Sequence, residues 1–143
     1  HDKLQEEAVT TKQIALPSGR EYAFPYAKYT RYGTTVGATS IKNYPVQGFA
    51  TADLLPLALI RLHKSLKAMQ KPVPKSKIIN TVHDSIIMDV HPDEKDWMIN
   101  LLKRSMLCIP EECSREFGID FDMPIEIELK IGKDWLNLEE LEI

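Results

Sequence analysis

The chain has 143 residues, 43% hydrophobic and 27% charged, and its net charge of −3 hides a split: residues 1–77 hold 12 Lys/Arg against 5 Asp/Glu, residues 78–143 hold 6 against 16. This composition suits one compact globular domain with a continuous core and excludes collagen-like, disordered and disulfide-rich classes. No apolar run reaches the roughly 18 residues of a membrane helix, the N-terminus lacks a signal-peptide layout, and Cys108 and Cys113 lack zinc-ligand companions, so a cytoplasmic setting with reduced thiols and no membrane partner is expected.

The first residue is His1, and the opening Asp2–Glu7 reads as a helix already under way, which suggests a fragment. Ile14-Ala-Leu16 and Tyr22-Ala-Phe24 flank Pro17-Ser-Gly-Arg20, the chemistry of a turn, so a β-hairpin is expected there. Tyr26 to Ser40 shows neither helical nor strand period; its interleaved tyrosines and bases can stack on and neutralise a nucleic acid strand, and tyrosines in a loop also cover a core. Lys42 to Gly48, punctuated by Pro45 and Gly48, reads as a lead-in to the longest helical pattern, about Thr51 to Met69. Leu55, Leu59, Leu62, Leu66 and Met69 form its apolar stripe. With Asp53 as N-cap, Pro56 falls where its missing N–H has no intrahelical partner; with an earlier start, Pro56 should kink the helix.

Lys71 to Lys77 ends that helix. Asp93 and Glu94 mark the start of a second, with Trp97, Met98, Leu101, Leu102 and Met106 on its apolar face. Pro110-Glu-Glu112 opens another that closes at Gly118. Ile125 to Ile131 alternates strictly, a strand expected to join the sheet of the hairpin described next, and Gly132 to Trp135 turns the chain towards an acidic surface tail from Leu138 to Ile143. With no internal repeat or low-complexity linker, the expected fold is a single α+β unit, an antiparallel sheet with a β-hairpin packed against helices.

The central stretch is Ile78 to Val90. Two apolar, β-branched runs flank His83-Asp84-Ser85, a hairpin with a carboxylate at its turn. An aspartate between hydrophobic strands is costly unless a cation or several donors meet it, so a bound divalent metal is the first hypothesis; a turn aspartate bonding its own backbone is the alternative. A basic N-terminal half beside this tip suits a polyanion held near a metal, although solvated surface faces alone give the same split.

Together, Asn43-Tyr-Pro-Val-Gln47-Gly48 leading into Ala52-Asp53, the Val82-His83-Asp84 hairpin, and the closing Ile131-Gly-Lys-Asp-Trp135 resemble the C-terminal palm segment of family A DNA polymerases, the bacterial polymerase I type. The likeness runs from about Ile14 to Trp135, and the wording from Asn43 to Ala50 is most similar to phage-encoded members. The resemblance implies template-directed transfer of nucleotides from dNTPs to a primer on primer–template DNA, by two magnesium ions held about 3.5–4 Å apart. It implies that Asp84 is one of the metal-binding catalytic carboxylates and that His83 lies against the primer end. Gln47 and Asn43 correspond to polar residues near the nascent pair and template, where a donor meets minor-groove acceptors common to all pairs. Arg31 and Lys42 are candidate DNA backbone contacts, and Asp89, farther along the strand, reads as a surface or structural carboxylate.

There are departures. Ser85 stands where many relatives have Glu, and Thr39 where some carry a base. The family's other metal-binding aspartate and its fingers helix have no counterpart in this chain, so the remaining polymerase domains or a further chain are implied partners. Two other readings stay open: a non-catalytic nucleic-acid-binding or assembly module, and a metal phosphohydrolase, which His63 and His91 do not favour because their contexts are unrelated to the doublet. On the polymerase reading, the purified 143 residues alone should not extend a primer; templated, magnesium-dependent nucleotide incorporation by them would overturn that expectation.

Overall fold

The computed structural model describes residues 2–69 and 73–142. His1, the Lys71-Pro72 portion of the expected helix end, and Ile143 lie outside the described residues. The elements run α1 (Asp2–Thr11), β1 (Gln13–Ala15), β2 (Glu21–Ala23), α2 (Ala38–Gly48), a π-helical turn (Phe49–Leu54), α3 (Leu55–Ala68), β3 (Lys77–Val82), β4 (Ser85–Asp89), a 3₁₀ turn (Pro92–Glu94), α4 (Lys95–Leu107), α5 (Ile109–Phe117), β5 (Leu129–Gly132) and β6 (Leu138–Leu141). This is a mixed α and β fold with small antiparallel sheets. The strands pair as three separate two-stranded ribbons, β1–β2, β3–β4 and β5–β6.

The N-terminal hairpin forms as the Pro17–Arg20 turn predicts, pairing Gln13 with Ala23 and Ala15 with Glu21. It lies against α2 through Tyr22 and Phe24, whose rings sit 6.3 and 6.4 Å from that of Tyr44. Gly48 makes this approach feasible: a Cβ there would stand 1.7 Å from the Tyr22 hydroxyl. Ala8, Ile14, Ala27 and Ile41 form the buried cluster beneath.

The stretch from Lys42 to Gly48 is helix, not a loop leading into one. Helical backbone continues from α2 through the π turn into α3, so Asp53 is no N-cap and the helix begins well before it. Two prolines withhold N–H groups from this run, and the fold meets each locally. Pro45 is buried beside Ile41 on the inner face. Ahead of Pro56, the Leu55 N–H reaches back to the Ala50 carbonyl, a π-type bond that takes up an extra residue. The Ala52 carbonyl, four residues before Pro56, instead receives the Arg20 Nη2 at 3.4 Å. In α3, Leu55, Leu57, Ala58 and Leu62 are buried, whereas Leu59 and Leu66 are half-buried and Met69 is exposed. The inward face is thus shifted towards the start of the helix.

A second buried cluster, Leu54, Leu57, Ala58, Ile109 and Cys113, joins the π turn, α3 and α5, and Phe49, Ile86, Phe117 and Phe121 pack on it. Both cysteines are free thiols, and burial pushes the Cys113 thiol up from its ordinary pKa. Helix α5 closes at left-handed Gly118 as expected. The alternating stretch differs from expectation: side chains alternate from Ile125 to Ile131, but only Leu129–Gly132 is strand. It pairs not with the central hairpin but with Leu138–Leu141, so the acidic end is a strand and not a tail. Asp134 explains the reversal. Its carboxylate takes the N–H groups of Leu136 and Asn137 at 2.9 Å, folding the Lys133–Asn137 connection back on itself.

The base of the β3–β4 hairpin is clamped by Glu94. Its carboxylate accepts the N–H groups of Lys75 and Ser76 at 2.8 Å and the Ser76 hydroxyl at 2.5 Å, and Ser76 Oγ in turn accepts the His91 N–H at 3.0 Å. The Lys75 N–H first, then the Ser76 hydroxyl, hold the Glu94 carboxyl below its ordinary pKa. A depressed carboxylate stabilises the fold fully above its unfolded pKa, about 4.3, and loses that contribution as the pH falls through the lower folded value. Glu94→Gln should therefore lower the urea midpoint at pH 7, and the difference should shrink as the pH falls below about 4, as followed by circular dichroism.

Candidate functional site at the hairpin tip and the exposed face of α2

His83 and Asp84 are the two residues that connect β3 to β4, and Ser85 is the first residue of β4, no longer part of the tip. The Val82–Ser85 pair closes the turn, and the Ser85 hydroxyl donates to the Val82 carbonyl at 2.7 Å. This gives Ser85 a local structural task. His83 has φ 54°, a left-handed conformation that side chains with a Cβ rarely adopt. Both His83 and Asp84 are exposed, so the aspartate is not the buried carboxylate that its apolar flanks suggest. None of the ion pairs among the described residues includes Asp84.

The strands below hold the tip in place. Register slips between Ile78 and Asn80, which leaves Ile79 as the extra residue of a β-bulge, 57% exposed. On β4, Ile86, two residues after Asp84, packs on the Leu54–Leu57–Ala58 cluster. Phe49, two residues after Gln47, packs on the same cluster. One core therefore carries both the hairpin and the end of α2.

Asn43 and Gln47, four apart on α2, share its exposed face, with Ile41 and Pro45 buried opposite. The backbone carbonyl of Gln47 accepts the Thr51 hydroxyl at 2.8 Å, and the Gln47 residue is exposed. Lys42 is half-buried beside them. Arg31 stands apart, on the loop before α2, with its guanidinium 4.8 Å over the Tyr32 ring. The structure thus makes two groups, the hairpin tip and the α2 face, and no hydrogen bond joins them among the described residues. Asp89 ends β4 and is exposed, as a surface carboxylate should be. Among the described residues no three His, Cys, Asp or Glu side chains come together as a metal-binding group.

Pattern reading missed the residues that position α2. Asp53 is buried in the π turn, where it accepts the Ser18 hydroxyl at 2.7 Å and Arg20 Nε and Nη2 at 3.0 and 2.9 Å. Hydrogen bonding and the charge of Asp53 raise the Arg20 pKa. A second buried carboxylate, Glu112 on α5, is held by Arg61 of α3 and by Arg115. The available signal was an acidic residue set directly before Leu54 and Leu55 in a helical run: a carboxylate in that setting needs a cation from elsewhere.

Sequence comparison assigns the chain. The DNA polymerase family A model matches residues 1–137. The chain belongs to this family. It is 38% identical over 93 residues, 65% of its length, to DNA polymerase I of Lactococcus lactis, and 34% identical over 93 residues, again 65%, to DNA polymerase I of Caldicellulosiruptor bescii. A thermostable DNA polymerase I of Thermus filiformis is 31% identical over 98 residues, 68% of the chain. The matched regions span only 9 to 10% of these relatives' own lengths.

The His83 backbone offers a test of the tip. Glycine adopts φ near 54° without the Cβ conflict, so His83→Gly should raise stability by a few tenths to about 1 kcal/mol after its larger unfolded-state entropy is counted. Urea unfolding checks this; a clear loss of stability would show that the His83 side chain, and not the turn backbone, is what the fold needs.

Proposed function

We infer that the 143 residues are a palm portion of a template-directed DNA polymerase, acting on primer–template DNA and dNTPs with magnesium, together with polymerase segments beyond this chain. The observation that carries this reading is Asp84: an exposed carboxylate on a two-residue hairpin tip, in no ion pair among the described residues, in a chain whose family is DNA polymerase A. The two-residue turn itself asks for a positive φ at its first position, so the turn accounts for the His83 backbone, and it is the exposed carboxylate beside it that favours a role for the tip.

Asp84 fits a magnesium ion in kind. It offers hard oxygen, and magnesium keeps waters and substrate phosphates in its shell, so one or two carboxylates from any one chain suffice. When bound, the ion supplies positive charge against phosphate oxygens and makes the primer hydroxyl easier to deprotonate. The chain's own residues do the rest. Asp84 holds cationic charge at the tip, and His83 presents its imidazole beside it towards the primer end. Asn43 and Gln47 offer amide donors on one helix face, suited to minor-groove acceptors shared by every base pair. Lys42 and Arg31 offer charge to the DNA backbone.

The β3–β4 ribbon supports the need for more polypeptide. A two-stranded sheet is marginal alone, and both of its outer edges are open to a further strand among the described residues. The Asn43–Ala50 wording favours a phage-encoded member working in a bacterial cytoplasm, while the relatives named above are bacterial. The decisive experiment is Asp84→Asn in the whole protein that carries these residues. Primer extension should fall by about two orders of magnitude or more, with affinity for primer–template little changed. Unchanged turnover would mean that the fold binds nucleic acid without performing the chemistry at this tip.

A further inference from the structure

The loop between β2 and α2 carries an exposed aromatic surface that the proposed chemistry does not use. Tyr26, Tyr29 and Tyr32 are 84, 55 and 76% exposed, so they do not cover the core. Tyrosines that merely fill a loop turn inward; three facing solvent within seven residues form a surface whose apolar area is left for something outside.

The loop carrying them is built, not slack. Tyr29 bridges Thr35 in antiparallel fashion, the Thr30 N–H donates to the Thr34 carbonyl at 2.7 Å, and the Val36 N–H donates to the Lys28 carbonyl at 2.9 Å. The tip is a turn closed by the Gly33 N–H on the Thr30 carbonyl at 3.0 Å, with Gly33 at φ 75°, where a Cβ would be strained. The Thr30 and Thr34 hydroxyls are 2.7 Å apart across it. Below, Ala27 is buried, its carbonyl accepts Lys12 Nζ at 2.5 Å, and Thr35 is buried as well. Rings on such a support lose little conformational freedom on binding.

Charge selects the occupant. From Tyr22 to Ala52 there is no Asp or Glu, while Lys28, Arg31 and Lys42 lie within that span. Arg31 lies over the Tyr32 ring at 4.8 Å, so cation and π-face are presented together. A basic surface that also offers flat rings suits a polyanion with unpaired bases: phosphates meet the cations and bases stack on the rings. Duplex DNA hides its base faces in the stack and offers phosphates and groove edges instead.

We propose that the Tyr26–Tyr32 loop is a stacking platform for single-stranded DNA. Which strand it holds, the unpaired template ahead of the primer end, rests on the polymerase reading; the binding itself does not. The test uses the whole protein that carries these residues, without magnesium, with fluorescein-labelled oligothymidine and a blunt-ended duplex read by anisotropy. Tyr29→Ala with Tyr32→Ala should weaken oligothymidine binding about tenfold or more. The same pair changed to Phe should stay within about twofold, because the π-faces remain, and duplex binding should change little in either variant. The single Tyr32→Ala change, at a ring 76% exposed, should give a smaller loss in the same direction and guards against a folding defect in the pair. Wild-type oligothymidine affinity in the alanine variants overturns the proposal. So does an equal loss on duplex, or an equal loss in the phenylalanine pair, which would point to protein docking or to the hydroxyls. Because no catalysis is read, failure here leaves the Asp84 test of polymerase function standing, and failure of that test leaves this one intact.

Discussion

A carboxylate inside a helix is the constraint on which the rest of this structure depends. Asp53 sits in the π turn with its oxygens taken by Ser18 and Arg20, two residues of the turn between β1 and β2. A buried carboxylate left unpaired is expensive by several kcal/mol, so wherever the π turn goes the β1–β2 turn must follow. Arg20 also reaches the Ala52 carbonyl that Pro56 cannot serve. One guanidinium thereby fixes the path of the helix and the seat of the N-terminal hairpin together. Of the two buried clusters, one includes Ile41 of α2 and the other joins the π turn, α3 and α5.

From that latch the site follows by packing. Phe49 emerges from the start of the π turn and Ile86 from β4, and both settle on Leu54, Leu57 and Ala58. The exposed amides of Asn43 and Gln47 are referred to the same core as the His83–Asp84 tip, although no direct bond links them. Below the tip, Glu94 and Ser76 draw the two ends of the hairpin together. The strain at His83 is thus held from below by an anchored sheet and a clamped base.

Much of this was legible in the sequence, for physical reasons. Period-two and turn chemistry placed both β1–β2 and β3–β4, and Gly118 closed α5 where a left-handed residue was needed. The helix through Lys42 to Leu54 was not legible, because Pro45 and Gly48 are local signals of interruption, and only tertiary contacts overrule them: burial of Pro45, the Tyr22 ring seated on Gly48, and Arg20 on Ala52. The fate of Ile125–Ile131 was hidden for a related reason. Alternation says which face is wet, not which strand lies alongside, and the partner was an acidic stretch whose composition disguised a strand. At the site, residue order picked out His83, Asp84, Asn43 and Gln47, but could not say that Asp84 would be exposed or that Ser85 would serve the turn.

The bulge at Ile79 bears on how the open edges of the β3–β4 ribbon behave. A ribbon of two strands with open edges invites identical copies to add on, edge to edge, and grow into insoluble cross-β material. An extra residue breaks the regular spacing of N–H and C=O groups along β3, and Lys77 and Asp89 place charges at its base. Copies of the same edge then match poorly, while one particular strand shaped to the irregularity can still pair. The kink thus works as a gatekeeper, trading some sheet regularity for selectivity over which neighbour is admitted.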